Sequence, residues 1–124
     1  MEYINRDTMR VLTNPGCEST QLLWPGNSSS ERITITEVRV APGASQPRHQ
    51  HKNSEQIWYA VQGQGKLLVE NDEFIEFFAG DVVRFSDGDI HGLLNDSSNE
   101  FIYISVTSPP LNFIKAYQSE VTQD

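Results

Sequence analysis

Short runs rich in β-branched and aromatic residues, separated by turn residues, cover most of the chain after residue 32. Apolar and polar positions alternate in some runs and apolar residues follow one another in others, both of which are typical of β-strands. Asn71 and Asp72 tolerate positive φ and predict a tight hairpin between two of the runs. Because helical spacing does not extend over ten residues in this part, the pattern predicts an all-β sandwich or barrel. The predicted strands are residues 33–40, 57–61, 66–69, 74–78, 82–85, 91–94 and 101–106.

The two ends of the chain are harder to assign. Residues 1–20 match neither pattern. After two consecutive prolines, Leu111, Ile114 and Tyr117 recur at a spacing of three. This C-terminal tail fits a short helix, a disordered end, or an arm that packs on a second subunit.

Length and charge narrow the classes of function. The 124 residues suit one domain, and the net charge of -8, from 17 acidic and 9 basic residues, repels phosphate backbones. Nucleic acid and anionic membranes are therefore not expected partners. The start of the chain has neither a basic segment nor an apolar run, which predicts a soluble cytoplasmic protein. Cys17 is the single cysteine, and we expect it to play no part in chemistry or folding.

The three histidines of the chain carry the main chemical signal. His49 and His51 are two residues apart, so on a strand both side chains project from the same face. His91 begins another predicted strand. Three imidazoles arranged in this way predict a site for one divalent metal ion.

Glycines frame the first two histidines at fixed distances. Five residues separate Gly43 from His49, and Gly63 follows the next predicted strand. Both glycines lie where a turn is expected.

A second set of residues surrounds the third histidine. Its members are Gly80, Gly88, His91 and Asn95. Together the two sets resemble the two motifs of the cupin superfamily over residues 33–107, with Ser86 where the second motif has proline. The resemblance implies a jelly-roll β-barrel that forms one domain over residues 1–124 and binds one divalent metal ion. It also implies a homodimer, and the ligand types suit Zn, Ni, Fe or Mn alike.

The fourth ligand departs from the family pattern. Six residues separate Gln56 from Gly63, and at this position, where cupins carry a glutamate, the chain has Gln56 with Glu55 beside it. We favour Gln56 as the ligand because the strand should run without interruption to the turn. In the alternative, Glu55 is the ligand, and it is also the candidate for a catalytic acid or base. An amide ligand would leave the full +2 charge on the site.

The predicted strand faces suggest which residues line a substrate pocket. Trp58 and Ala60 share the face of Gln56 and should point into the barrel, as core or as a substrate platform, and Tyr103 or Phe101 can line the same space. Trp58 and Tyr103 are the candidates for substrate binding. The expected function is that of a metal-dependent enzyme on a small organic substrate, of the dioxygenase, sugar isomerase or epimerase, or cyclase type. The alternative is a non-catalytic binding or sensor protein whose metal orients the ligand.

Overall fold

Two antiparallel β-sheets form a jelly-roll barrel in the computed structural model, which describes residues 1–111. The strands are β1 (Arg10–Asn14), β2 (Cys17–Leu23), β3 (Thr34–Val40), β4 (Ser45–His49), β5 (Glu55–Gln62), β6 (Gln64–Leu68), β7 (Phe74–Phe78), β8 (Val82–Phe85), β9 (His91–Leu94) and β10 (Phe101–Ser108). The larger sheet has the order β1-β2-β3-β10-β5-β8, and the smaller sheet has the order β4-β9-β6-β7. Short 3-10 turns lie at Arg6–Thr8 and Glu70–Asp72. The predicted all-β class is confirmed.

Each of the seven predicted runs forms a strand. The bounds of β7, β8 and β9 agree with the prediction, whereas β5 and β10 extend further because polar residues continue the ladder at their ends. The hairpin between β6 and β7 has positive φ at Asn71 and Asp72, 62° and 58°, as their side chains allow.

The N-terminal region, which the sequence pattern left unassigned, adds β1 and β2 to the larger sheet. β2 pairs with β3 in antiparallel register, from Cys17 opposite Val40 to Gln21 opposite Thr36. The expectation that Cys17 plays no part in the fold is wrong, because its side chain is buried in the apolar core. Burial raises the pKa of its thiol.

The inner face of the larger sheet changes from apolar to polar along its strands. At one end Cys17, Val40 and Phe101 lie side by side on β2, β3 and β10. Nearer the other end, Thr107 on β10 lies opposite Gln56 on β5. The apolar end packs against the smaller sheet, as shown by the Phe77 and Phe101 rings with centroids 5.8 Å apart. The polar end of this inner face is therefore where a binding site is expected.

Two motif residues hold turns in place. Gly63 has φ of 87°, and a Cβ atom there would lie 2.7 Å from the carbonyl oxygen of Glu100, so only glycine fits. Asn95 is fully buried, and its Nδ2 donates hydrogen bonds to the carbonyl oxygens of Val40 and Asn99, each 2.9 Å long. These residues serve the barrel rather than its chemistry.

The helix considered for the C-terminal tail, with Ile114 and Tyr117, lies outside the described residues. Across residues 1–111, the structure contains no helix of the length and apolar character that crossing a membrane requires.

Candidate metal centre

His49, His51 and His91, called here the histidine cluster, converge at one end of the barrel. β4 pairs with β9 so that His49 lies opposite His91, and the register of this pair shifts between Gln46 and His49. The candidate ligand atoms of the three side chains all lie within 4.8 Å of one another. The pairing of the two strands thus brings distant parts of the sequence to one point.

His51 reaches this point from a loop and not from the strand that the sequence predicted. β4 ends at His49, and His51 lies two residues beyond it. The carbonyl oxygen of His51 accepts a hydrogen bond from the backbone N–H of Gly88, 2.7 Å long. The turn before β9 therefore anchors the loop, and the three imidazoles meet although they do not share a strand face.

Backbone carbonyls fix the tautomers of two histidines. Nδ1 of His49 lies 2.9 Å from the carbonyl oxygen of Pro47, and Nδ1 of His91 lies 2.9 Å from that of Asp89. Because a carbonyl oxygen only accepts, each Nδ1 carries the proton and donates it. Each Nε2 then has a lone pair, which is the usual arrangement of histidines that bind a metal.

Burial favours the neutral form of two histidines in the cluster. It lowers the pKa of His91 to about 3, with a further contribution from the nearby His49, since two adjacent imidazoles resist becoming charged together. Burial also lowers the pKa of His49. Both imidazoles are therefore uncharged at pH 7 and able to coordinate. Nε2 of His91 is buried and has no hydrogen-bond partner among residues 1–111. A metal ion would satisfy this nitrogen, so the donor set fits the divalent ion that the resemblance implies.

Aromatic side chains hold the ring of His91. Phe85 stacks on it with a centroid distance of 4.1 Å, and Trp58 contacts it edge-on at 5.3 Å. The ring has little room to rotate away from the cluster.

Gln56 is buried with its amide oriented by two neighbours. Its Nε2 donates to Oγ1 of Thr107 at 3.0 Å, and its Oε1 accepts from Nε1 of Trp58 at 3.2 Å. Since the indole N–H can only donate, Oε1 must face Trp58 and keeps a second lone pair. Gln56 lines the same cavity as His49 and His51. Its role as the fourth ligand stays a prediction, with this geometry in its favour.

Glu55 lies on the opposite face of β5. Its carboxylate pairs with Arg84 at 2.8 Å, and 44% of the side chain is exposed. Consecutive strand residues point to opposite sides of a sheet, so Glu55 turns outward where Gln56 turns inward. The structure separates Glu55 from the histidines and leaves its predicted catalytic role without a supporting contact.

A cavity of about 130 Å³ adjoins the histidine cluster. Both predicted substrate-binding residues line it: Tyr103 donates a hydrogen bond to Oε1 of Gln46 at 2.7 Å, and Trp58 stacks on Tyr103 at 4.2 Å. Phe101 instead belongs to the core. The lining residues are Leu12, Asn14, Ser19, Gln21, Thr36, Val38, Gln46, Pro47, His49, His51, Gln56, Trp58, Tyr103 and Ser105. Within the described chain, none of them is Asp, Glu, Lys or Arg.

The first three strands contribute to this cavity, which the sequence pattern did not predict. Ser19 and Gln21 on β2 and Thr36 on β3 line it. The alternation of inward positions in β2 was the available signal, but small polar residues occupy those positions and hid it from a search for apolar alternation.

Comparison with known proteins agrees with this architecture. The chain is 24% identical over 89 residues to the oxalate-binding protein of Thermotoga maritima, covering 72% of this chain and 73% of that protein. The structure of KdgF from Halomonas sp. superposes with a TM-score of 0.75 at 21% identity, covering 90% of this chain and 98% of that one. The polyketide cyclase RemF from Streptomyces resistomycificus gives 0.75 at 21% identity, with 89% and 80% covered.

These solved structures bear on the fold alone, because their sequences have diverged so far. The family model of the cupin domain matches residues 36–107, which is more than half of the chain and includes the histidine cluster. The chain therefore belongs to the cupin family.

Proposed function

We propose that the histidine cluster binds one divalent metal ion and that the chain catalyses proton transfer on a small oxygen-rich substrate in the adjoining cavity. The observation that carries this proposal is the convergence of three imidazoles at one side of a cavity without charged side chains. Zn, Ni, Fe and Mn all suit such nitrogen ligands. Gln56 is the proposed fourth ligand, through Oε1.

The charge of the site would favour oxygen ligands and anions. A bound ion would act as a Lewis acid, polarising a carbonyl group and making the hydrogen on the neighbouring carbon more acidic. The lining contributes no carboxylate that would cancel the charge, because Glu55 points outward. The barrel walls around the cavity lower the local dielectric constant relative to bulk water, which strengthens the attraction.

Tyr103 is the proposed acid or base. Its hydroxyl donates a hydrogen bond to Gln46, and its ring stacks on Trp58. Because Trp58 also contacts the ring of His91, these aromatic contacts fix the position of Tyr103 relative to the histidine cluster. The phenol can give its proton to a substrate oxygen, and the phenolate that remains can take a proton back from the substrate. Gln46 and Trp58 orient Tyr103, while Trp58 also orients the amide of Gln56.

Proton transfer next to a carbonyl is the step that isomerases, epimerases and cyclases have in common. We therefore favour these types over a dioxygenase, which would need a redox-active metal and O₂. The names of the structural neighbours include a cyclase, but at 21% identity that likeness concerns the fold.

A second candidate function is binding without catalysis. It is favoured by the scarcity of acid–base groups in the lining, where Tyr103 is the one group besides the histidines, within the described residues, that is suited to exchange a proton. The related protein from Thermotoga maritima is named for oxalate binding, which is the kind of ligand that such a site would hold.

We also propose that two copies associate through the outer face of the larger sheet. Tyr59 on β5 and its cross-strand neighbour Val82 on β8 are 47% and 62% exposed, and Ile57 and Val61 flank Tyr59 on the same face. The nearby Glu55 and its partner Arg84 cancel each other's charge. Because each copy carries a net charge of -8, a neutral apolar face is where two copies repel each other least.

The first prediction concerns metal content. Wild-type protein without a purification tag should hold one divalent ion per chain, and a His49→Ala/His91→Ala double variant should hold almost none, because two of three imidazoles are lost. Elemental analysis of both samples measures this. Lys52→Ala, an exposed change in the adjacent loop, is the control and should retain the ion. Equal metal content in all three proteins would contradict the assignment.

The second prediction concerns the fourth ligand. Gln56→Glu should keep the ion but weaken binding of oxalate about tenfold or more, because the added carboxylate cancels part of the site's charge. Glu55→Gln should leave the affinity for the metal ion and the affinity for oxalate nearly unchanged, since exposed ion pairs contribute about 1 kcal/mol or less. Chelator competition and calorimetry with oxalate give the two affinities. A large loss of metal affinity in Glu55→Gln, with none in Gln56→Glu, would make Glu55 the ligand.

The third prediction tests catalysis. In D₂O, the metal-loaded protein should accelerate exchange of the hydrogens next to the keto group of 2-oxobutanoate, followed by NMR. Tyr103→Phe should slow this exchange by about 10²–10⁴ with metal content unchanged, whereas Tyr59→Phe, on the outer face of the same sheet, should not. Binding of 2-oxobutanoate without accelerated exchange would establish the binding function instead. Consumption of O₂ with phenolic or diketone substrates would indicate a dioxygenase.

The fourth prediction concerns assembly. Light scattering should give twice the chain mass of 14.0 kDa for the wild type. Tyr59→Glu/Val82→Glu should give the mass of one chain, because association would bury four carboxylates per dimer. Ile75→Glu alters a residue of similar exposure on β7 and should remain dimeric. A monomeric wild type, or a double variant that still dimerises, would refute the proposed face.

A further inference from the structure

Three polar side chains form a row across the inner face of the larger sheet. Gln21 on β2 lies opposite Thr36 on β3, and Thr36 lies opposite Ser105 on β10. All three line the cavity, and each is only 5% exposed. We call Gln21, Thr36 and Ser105 the polar row.

The hydrogen-bonding capacity of the polar row is largely unused. Among residues 1–111, no group forms a hydrogen bond with the hydroxyl of Thr36 or of Ser105. Oε1 of Gln21 accepts from Nε and Nη2 of Arg10, at 3.0 and 2.9 Å, so the amide nitrogen is the end left to donate. These side chains line the cavity, where water or a ligand can reach their polar atoms, so the partners of the row come from outside the chain.

Contacts with Arg10, which itself packs on Trp24, fix the orientation of the Gln21 amide. The guanidinium of Arg10 lies 4.0 Å above the ring of Trp24, which holds it where it meets Oε1 of Gln21. Arginine only donates, so this contact fixes which end of the amide is free. The row therefore offers two N–H donors from Gln21 and two hydroxyls that can donate or accept.

Packing does not explain these residues. In the adjacent row toward the apolar end, the β3 position is Val38, whose shape is nearly that of threonine, and it belongs to the core. Valine at position 36 would fill the same space and offer more apolar surface to the core, so packing does not require a hydroxyl there. Polar side chains that the packing does not require are typical of ligand-binding sites.

We propose that the polar row binds the uncharged, oxygen-bearing end of the substrate, and that the substrate is a short monocarboxylic acid with a hydroxyl or keto oxygen. This inference rests on the proposed function, in which the metal end of the cavity takes the carboxylate. The far end must be neutral, because a second carboxylate would be buried beside a lining without a cationic side chain among the described residues. Its oxygen accepts from Gln21 and pairs with the hydroxyls of Thr36 and Ser105.

The volume of the cavity sets the length of the acid. A cavity of about 150 Å³ in another protein holds benzene, so the 130 Å³ here suits roughly four to six carbon atoms. Water can satisfy the polar row before the substrate arrives, and the substrate's oxygen would replace it.

Stability measurements test the row without any ligand. Thr36→Val and Thr36→Val/Ser105→Ala should leave the melting temperature unchanged or raise it, and metal content should not change. The matched control is Thr107→Val in the next row of the same strands, because its hydroxyl accepts from Gln56 and its loss should lower the melting temperature. If Thr36→Val lowers the melting temperature as much as Thr107→Val does, the Thr36 hydroxyl has a structural role and the proposal fails.

Ligand preference tests the substrate class. Calorimetry of the metal-loaded protein compares 4-hydroxybutanoate with butanoate and 4-oxopentanoate with pentanoate. The wild type should bind each oxygenated acid about five- to tenfold more tightly than its plain counterpart, the value of one or two hydrogen bonds. Thr36→Val/Ser105→Ala should abolish this preference while still binding the plain acids.

The outcomes separate the polar row from the proposed function. Equal binding of oxygenated and plain acids by the wild type, no binding of any of them, or a preference that survives the double variant would overturn the assignment of the row. Metal binding and hydrogen exchange on 2-oxobutanoate would stand in each case. Absence of metal would instead refute the proposed function, and the melting temperatures would still decide the role of the row.

Discussion

Burial of uncharged imidazoles is the condition on which the candidate site depends. A histidine that became protonated here would place a positive charge in a cavity without a neighbouring carboxylate, so the neutral form is favoured. The carbonyl oxygens of Pro47 and Asp89 then select the tautomer that turns Nε2 inward. Backbone geometry, through the β4–β9 pairing, thus determines the chemistry that these side chains can perform.

The same strands carry both the core and the cavity. Along β3 the inward side chains pass from Val40 and Val38 to Thr36 and Thr34, so the ladder that supports the barrel also presents its polar wall. Rigid sheet positions hold side chains more precisely than loops do. His51 is the exception, and its loop is tied to the turn at Gly88.

The sequence allowed prediction of the part of the fold in which apolar residues mark the buried face. β7, β8 and β9 were predicted to the residue, and the inward direction of Trp58 and Ala60 followed from alternation. β1 and β2 were not predicted, because the inward Ser19 and Gln21 are polar and resemble surface positions. The position of His51 could not be predicted either, since the end of β4 depends on contacts with a distant turn. The structure places Gln56 and Glu55 on opposite faces of β5, which decides between them in a way that residue type alone does not.

The contact between Arg10 and Gln21 has a consequence for how such a protein diverges. Both residues precede the segment that matches the cupin domain model, whereas the histidines lie within it. The histidines that would hold the ion and the β1–β2 part of the cavity wall are thus encoded in separate stretches of the chain. Substitutions in the first twenty-odd residues can change which molecules enter the barrel while the inherited centre stays intact. Selectivity and reactivity can accordingly evolve at different rates in this lineage.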